Sequence, residues 1–244
     1  LTFRDIDKAS KTKKVYGFDI FGSFPKPILN KEHKKRDTNF AKLHDKKIGL
    51  GNYYANYRTE KLDITVGHFY EQGLGVKQDY DQAISWYLKA SEQGLAAAQH
   101  NVGMLYYNGI GAEQDYSQAL SLFEKAAQQD VIEAQYMLGL MYHQGHGGEA
   151  DYDRARDWFL KSAKRAYANA QFMYAYMLQS AQGGDEEPEP QKAMVWAALS
   201  EHNGKTDAIS ITSVAAMQME EREISAVQGI VDQCLATNYA QCPE

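Results

Sequence analysis

The sequence predicts an all-α fold, a solenoid of stacked helix pairs, and three observations carry that expectation. First, aligned on itself, the chain repeats with a period of 36 residues, within the range that marks solenoids. GVKQDYDQAISWYLKASEQG (75–94) returns as GAEQDYSQALSLFEKAAQQD (111–130) and, more loosely, as GGEADYDRARDWFLKSAKRA (147–166). Gly67, Gly103 and Gly139 fall in register, as do Tyr70, Tyr106 and Tyr142; Gly73, Gly109 and Gly145; Asp79, Asp115 and Asp151; Tyr80, Tyr116 and Tyr152; and Ala83, Ala119 and Ala155. Trp86 and Trp158 match across two periods, with Leu122 between them. Second, each unit divides into two segments with apolar residues at helical spacing. Third, the residues between those segments are glycines followed by a capping aspartate.

Taken in order, residues 1–61 match no repeat. FGSFPKPILNKEHKKRD (21–37) is rich in Pro and Lys and reads as irregular, whereas TNFAKLHDKKIGLGNYYANYR (38–58) is long enough to supply one helix capping the first repeat. Within a repeat, the first helix is typified by AAQHNVGMLYYNG (97–109), where Ala98, Val102, Leu105 and Tyr106 share a face. Gly109, with Gly111 close behind, is expected to end it in a left-handed conformation. The second helix starts after Asp115 as N-cap, with Gln118 three residues on as a capping-box partner; Asp79 and Gln82 repeat that pair, and at the third unit Arg154 replaces the glutamine. Ala83, Trp86, Tyr87 and Ala90 then lie on one face. A mid-helix glycine costs about 1 kcal/mol relative to alanine. Three at one register therefore imply close approach of a bulky Trp or Phe from the partner helix. Small residues at Ala98, Ala134 and Ala170 suit close packing between successive units.

The pattern A…(L/V)G..Y..G.G…DY..A..W(Y/F).KA resembles the Sel-one-like repeat, a relative of the tetratricopeptide repeat. The resemblance implies a right-handed superhelix of helix-turn-helix units. It covers three clear units, 62–97, 98–133 and 134–169, and a degenerate fourth, 170–207. In the fourth, Ala175 replaces the glycine, Leu178 replaces the tyrosine, and the loop is two residues longer before Ala193 and Trp196 resume the pattern. Residues 208–244 read as a polar-faced terminal helix and tail, covering the last apolar surface as a solenoid requires. The ending MEEREISAVQGIVDQCLATNYAQC resembles the ends of exported bacterial members of the family, which implies a periplasmic or secreted location, with the cytoplasm as the alternative. Cysteine-rich members, to which β-lactam binding has been attributed, carry a disulfide in each repeat; this chain lacks those pairs, so that property is not carried over.

Charge is divided unevenly. Residues 1–61 hold 15 Lys/Arg against 7 Asp/Glu, a net of +8, and residues 62–244 hold 11 against 25, a net of −14. The basic segment suits either an anionic partner surface or the acidic body of its own chain, and the second is favoured because that charge is already attached. The chain opens LTFRDIDKAS, without Met and without the apolar core of a secretion signal, which leaves open whether a leader has been removed. No apolar run is long enough for a membrane-spanning helix. The two cysteines, Cys234 and Cys242, have no neighbouring ligands for zinc; a disulfide pinning the tail is preferred over two free thiols, and would imply an oxidising compartment.

The residues offer little to catalysis. The G-x-G turns (73–75, 109–111, 145–147) follow a helix and lack the strand and third glycine of a dinucleotide fingerprint. His143 and His146 are three apart but have no third ligand nearby; they read as a groove histidine and an exposed loop histidine. DEEPEP (185–190) lacks the ligand spacing of a calcium loop, with Pro188 placed to start the next helix. No cofactor, metal or catalytic residue is expected. Most of the 17 tyrosines fall at repeat-core positions on an acidic body, which argues against nucleic acid.

A surface remains. On the first helix of each repeat, the positions between core residues are Ile64, His68 and Glu71; His100, Met104 and Tyr107; Tyr136, Leu140 and His143; and Phe172, Tyr176 and Gln179. Of these, His68, His100, Met104, Tyr107, Tyr136, His143, Phe172 and Tyr176 are the candidate groove, the alternative being that half belong to the core between repeats. Aromatic and Met side chains favour interface cores, and a peptide laid along the concave side is a usual ligand of this architecture. The expected function is a non-catalytic adaptor that binds a protein or peptide in the bacterial envelope. Competing expectations are an immunity-type inhibitor of a secreted toxin and an enzyme, or its regulator, acting on peptidoglycan or other envelope material.

Overall fold

A computed structural model describes residues 59–184 and 187–244. The expectations for residues 1–58, an irregular stretch followed by a capping helix, lie outside the described residues, as do Asp185 and Glu186 of the acidic run. Among the described residues there are ten α-helices and no strand. The chain divides into two compact units, Leu1–Trp86 and Tyr87–Glu244.

In the first unit, α1 (Thr59–Gln72) leads through a glycine turn into the start of α2 (Tyr80–Glu92). Gly73 sits at φ 68°, the Asp79 N–H donates to the Tyr70 carbonyl at 2.9 Å, and the Asp79 carboxylate accepts from the Gln82 N–H at 3.0 Å. The second unit repeats this device. Helix α3 (Ala96–Asn108) pairs with α4 (Tyr116–Ala127), α5 (Ile132–Gln144) with α6 (Tyr152–Ala163), and α7 (Ala168–Gln179) with α8 (Pro190–His202). Helices α3 and α5 end at Gly109 and Gly145, φ 66° and 70°, whose N–H groups return to the Leu105 and Met141 carbonyls. Asp115 and Asp151 cap the next helices, accepting from the Gln118 and Arg154 N–H groups at 2.9 Å each. The expected capping box does not form, because the Gln118 side chain makes no return bond; the reciprocal arrangement occurs instead at α10 (Glu221–Ala236), between Glu220 and Glu223.

Glycine in mid-helix is explained by the ring opposite. A Cβ on Gly103 would stand 2.8 Å from Phe123, and one on Gly139 would stand 2.5 Å from Phe159; both rings are fully buried. The bulky partner is therefore the Phe, not the Trp one residue earlier. Trp158 is only half-buried, packs against the preceding core cluster and carries Lys161 over its ring at 4.0 Å. Ala98, Ala134 and Ala170 are fully buried, as close stacking between units requires.

A repeated polar device lies beside them. Gln99, Gln135 and Gln171 are buried at one register. Gln135 and Gln171 donate to the Ala127 and Ala163 carbonyls, closing the ends of α4 and α6 at 3.3 and 3.0 Å. Free carbonyls at a buried helix end are costly, so the amide replaces water there.

The fourth repeat and the tail differ from expectation in two respects. Pro190, not Pro188, begins α8, with Glu189 as the preceding cap position. The terminal segment is two helices, α9 (Ile209–Ala216) after a 3₁₀ turn at Thr206–Ala208, and α10, rather than one. Beyond α10 the tail folds back: Cys234 and Cys242 are paired with Cα atoms 4.9 Å apart, the Trp196 indole N–H donates to the Pro243 carbonyl at 2.8 Å, and Lys164 pairs with Glu244.

Candidate interaction surface

Along the second unit, the first helices α3, α5 and α7 present a stripe of partly covered side chains. His100, Met104 and Tyr107, then Tyr136, Leu140 and His143, then Phe172 and Gln179 are all half-buried, and Tyr176 is 40% exposed. The helices position them by spacing alone: each residue sits three or four places from the next, one step around the helix from the buried Ala98/Val102/Leu105 type of core row. In the first unit, His68 is half-exposed with its ring 3.5 Å from Glu71, whereas Ile64 is buried and belongs to the core rather than to the surface.

The rings of the stripe are held by neighbours. His100 lies against Phe123 with ring centres 5.6 Å apart, and its Nδ1 is buried without a partner. Burial holds the imidazole below its ordinary value, with the Glu133 carboxylate opposing it. Tyr136 packs between Phe159 and Tyr167 at 5.8 and 5.2 Å, and burial raises its phenol. His143 touches Tyr152 and Tyr176 edge-on at 5.3 and 6.4 Å. Tyr107 meets Tyr116 at 5.3 Å. His146 is not the exposed loop residue its position suggests. It stacks on Tyr116 with ring centres 4.2 Å apart and planes 7° from parallel, which removes most of its surface from water.

The stripe in this unit contains no Asp, Glu, Lys or Arg. One basic group stands beside it: the Lys205 ammonium lies 5.5 Å over Phe172. No three His, Cys, Asp or Glu side chains among the described residues converge on a point where a metal ion could sit, and His143 is engaged instead with the Gln182 amide at 2.9 Å. The chemistry on offer is apolar contact, aromatic stacking and neutral hydrogen bonding. Sequence reasoning missed Tyr116, Tyr152 and His146 as supports of the stripe, because the DY dipeptide was absorbed into the cap. It missed Gln144, Gln182 and Gln218, the bond partners of Tyr107, His143 and Gln179, because those bonds span 37 or 39 positions.

A family model described as Sel1 repeat matches residues 66–95, 96–131, 132–167 and 168–204, more than half of the chain. No curated protein is similar enough to match. Among solved structures, a Sel1 repeat protein from Oxalobacter formigenes is similar at 25% identity with a TM-score of 0.62, covering 84% of this chain and 91% of that one. The protein c5321, a protective antigen present in uropathogenic Escherichia coli strains and displaying an SLR fold, is similar at 23% identity with a TM-score of 0.59. That likeness covers 88% of this chain, which spans 54% of the length of c5321.

Proposed function

The chain belongs to the Sel1 repeat family, and from that premise we propose that it is a non-catalytic adaptor holding a peptide or an extended protein segment along the first helices of its repeats. Proteins of this family generally mediate protein–protein interaction. One observation carries the finer reading: the stripe His100, Met104, Tyr107, Tyr136, Leu140, His143, Phe172 and Tyr176 is uncharged, partly open and braced from behind by further rings. Aromatic side chains already held in place lose little entropy on binding, which is why such residues become anchors. In a helix-pair solenoid this face is the concave one.

An oxidising location, and hence the bacterial envelope, is supported by the pairing of Cys234 with Cys242 at the tail. No described helix is long and apolar enough to cross a membrane.

The test is selection of binders from random peptides displayed on phage, with the wild-type chain as bait. Competition with Tyr107→Ala/Tyr176→Ala follows. Both rings are partly open, so this variant should fold as the wild type does and bind the selected peptides at least about tenfold more weakly. Equal binding by a folded variant would move the site off this face.

A further inference from the structure

Helix α9 stands where a fifth repeat would begin. Counting the two extra loop residues, Ala208 falls at the register of Ala98, Ala134 and Ala170, and Ala215 at that of Met141 and Met177; all are fully buried. The second helix of that repeat is missing from its place. Seven residues (109–115) lead from α3 to α4, but only four (217–220) lead from α9 to α10, and α10 packs on α8 rather than on α9. The face of α9 that a second helix would cover is therefore open. At its centre is Ser213, at the register where Gly103 and Gly139 receive the Phe123 and Phe159 rings and where Ala175 is fully buried; Ser213 is exposed. Around it, Ile209 is 61%, Val214 46% and Met217 86% exposed, the three most exposed large apolar side chains among the described residues. From Ala208 to Met219 there is no Asp, Glu, Lys or Arg.

We propose that the same face of a second copy takes the empty place, two α9 helices lying antiparallel about a two-fold axis at Ser213. Two observations select that occupant. The first is the symmetry of the side chains. Ile209 and Met217 lie four residues to either side of Ser213 on one line of the helix. Rotation about Ser213 sets each Met217 against Ile209 of the other copy, and the small serine lets the two backbones approach. A two-fold contact demands this reciprocity, in which i meets j and j meets i. The second is charge. Residues 62–244 carry a net −14, so two copies repel over most of their surface, and α9 is a stretch on which they can touch with no carboxylate facing another. The antiparallel arrangement also keeps apart the two acidic ends at Glu220, Glu221 and Glu223, and it opposes the helix dipoles favourably. One helix face is smaller than the roughly 800 Å² per partner of a stable interface, so the dimer forms reversibly, with a Kd in the micromolar range or above.

The experiment is analytical sedimentation of the full chain from low micromolar to near millimolar concentration, in low and in high salt. The mass is expected to rise with concentration toward two chains and stop there. It should rise sooner in high salt, which screens repulsion between the acidic bodies and leaves apolar contact intact. Val214→Glu/Met217→Glu changes only exposed side chains, so it should keep the wild-type circular dichroism and associate at least about tenfold more weakly. The axis is tested with Ser213→Cys and a short bismaleimide, each thiol adding across one maleimide double bond. A covalent dimer should form, and adding Met217→Glu should suppress it. The mass of one chain throughout overturns the proposal and leaves α9 to a different protein. A dimer that survives Val214→Glu/Met217→Glu overturns it in favour of another face, and masses that grow beyond two chains overturn it in favour of head-to-tail packing.

Discussion

Replacing Gly139 with alanine sets two known effects against each other. In an exposed helix the change would stabilise by about 1 kcal/mol through backbone entropy. Here the added Cβ would stand 2.5 Å from both Cδ1 and Cε1 of Phe159 and 3.0 Å from its Cγ. Carbon atoms prefer about 3.5–4.0 Å, so α5 and α6 must separate by roughly an ångström or the ring must leave its rotamer. Phe159 is fully buried and has nowhere to move. Overpacking of this kind costs about 1–3 kcal/mol, and so close a contact belongs at the upper end. The net expectation is a loss of about 2 kcal/mol, or about 4–8 °C in melting temperature for a chain of this size. Gly229 in α10 supplies the control, since a Cβ there meets nothing within 4 Å; Gly229→Ala should gain up to about 1 kcal/mol. Adding Phe159→Leu to Gly139→Ala should cost less than the two single changes summed. Thermal and urea unfolding of the four variants decide the matter. A Gly139→Ala protein as stable as the wild type, or stabilised like Gly229→Ala, refutes close approach as the reason for the glycine.

Three further outcomes are expected. Asp115→Ala and Asp151→Ala each remove a cap acceptor at 2.9 Å and should cost about 1 kcal/mol in urea unfolding, with Asn at either position restoring most of it. Burial depresses the His100 imidazole in the folded chain, so the unfolded chain takes up the extra proton as pH falls through its ordinary 6.5. Stability should therefore decline below that pH, and His100→Gln should flatten the decline in a series of melts from about pH 7 to about pH 5; identical slopes would place the histidine in water. Breaking the Cys234–Cys242 pair with a reductant or Cys242→Ser should lower stability by about 2–3 kcal/mol. It should also shift the emission of Trp196 as the Pro243 carbonyl leaves its indole N–H; a thiol count unchanged by reduction would remove the disulfide.

The order of helices, their caps and their glycine stops were legible because each is a local device with its own residue signature. Asp115 and Gly109 act within a few residues of themselves, and a period of 36 multiplies the signal. The stripe was legible as a face but not as a mechanism. Helical spacing places Tyr107, His143 and Gln179 at one register, yet their bonds run to residues 37 and 39 positions away. Intermediate exposure decides between surface and core, and spacing alone assigned Ile64 to the surface and His146 to solvent. His146 is covered by Tyr116, the first residue of α4, and no periodicity reports a stack between a loop and the start of an earlier helix. The buried Gln99, Gln135 and Gln171 were visible as a repeat and escaped notice because a polar residue beside a core alanine reads as a boundary.

The fourth repeat shows which parts of the pattern are physical requirements. Its glycine has become Ala175, and at the register of Phe123 and Phe159, allowing for the two extra loop residues, stands Ala197; both alanines are fully buried in one cluster. With the ring gone, the space that forbade a Cβ is open, and the small pair fits. The longer loop keeps the bond that defines the turn, since the Glu189 N–H donates to the Leu178 carbonyl at 2.9 Å, as Asp115 and Asp151 do to Tyr106 and Tyr142. The added length is held by Arg156, whose guanidinium donates to the Gly183 carbonyl and to the Glu189 carboxylate at 2.6 Å each, while Asp153 accepts from the Gly184 N–H at 2.8 Å. Arg156 is only 17% exposed, so removing it leaves Glu189 and a carbonyl poorly solvated. Arg156→Ala should therefore speed amide exchange at Gly184 while leaving the Gly139 contact and the α5–α6 pair unchanged; uniform loosening of all repeats would mean that the loop clamp supports the whole stack rather than its own turn.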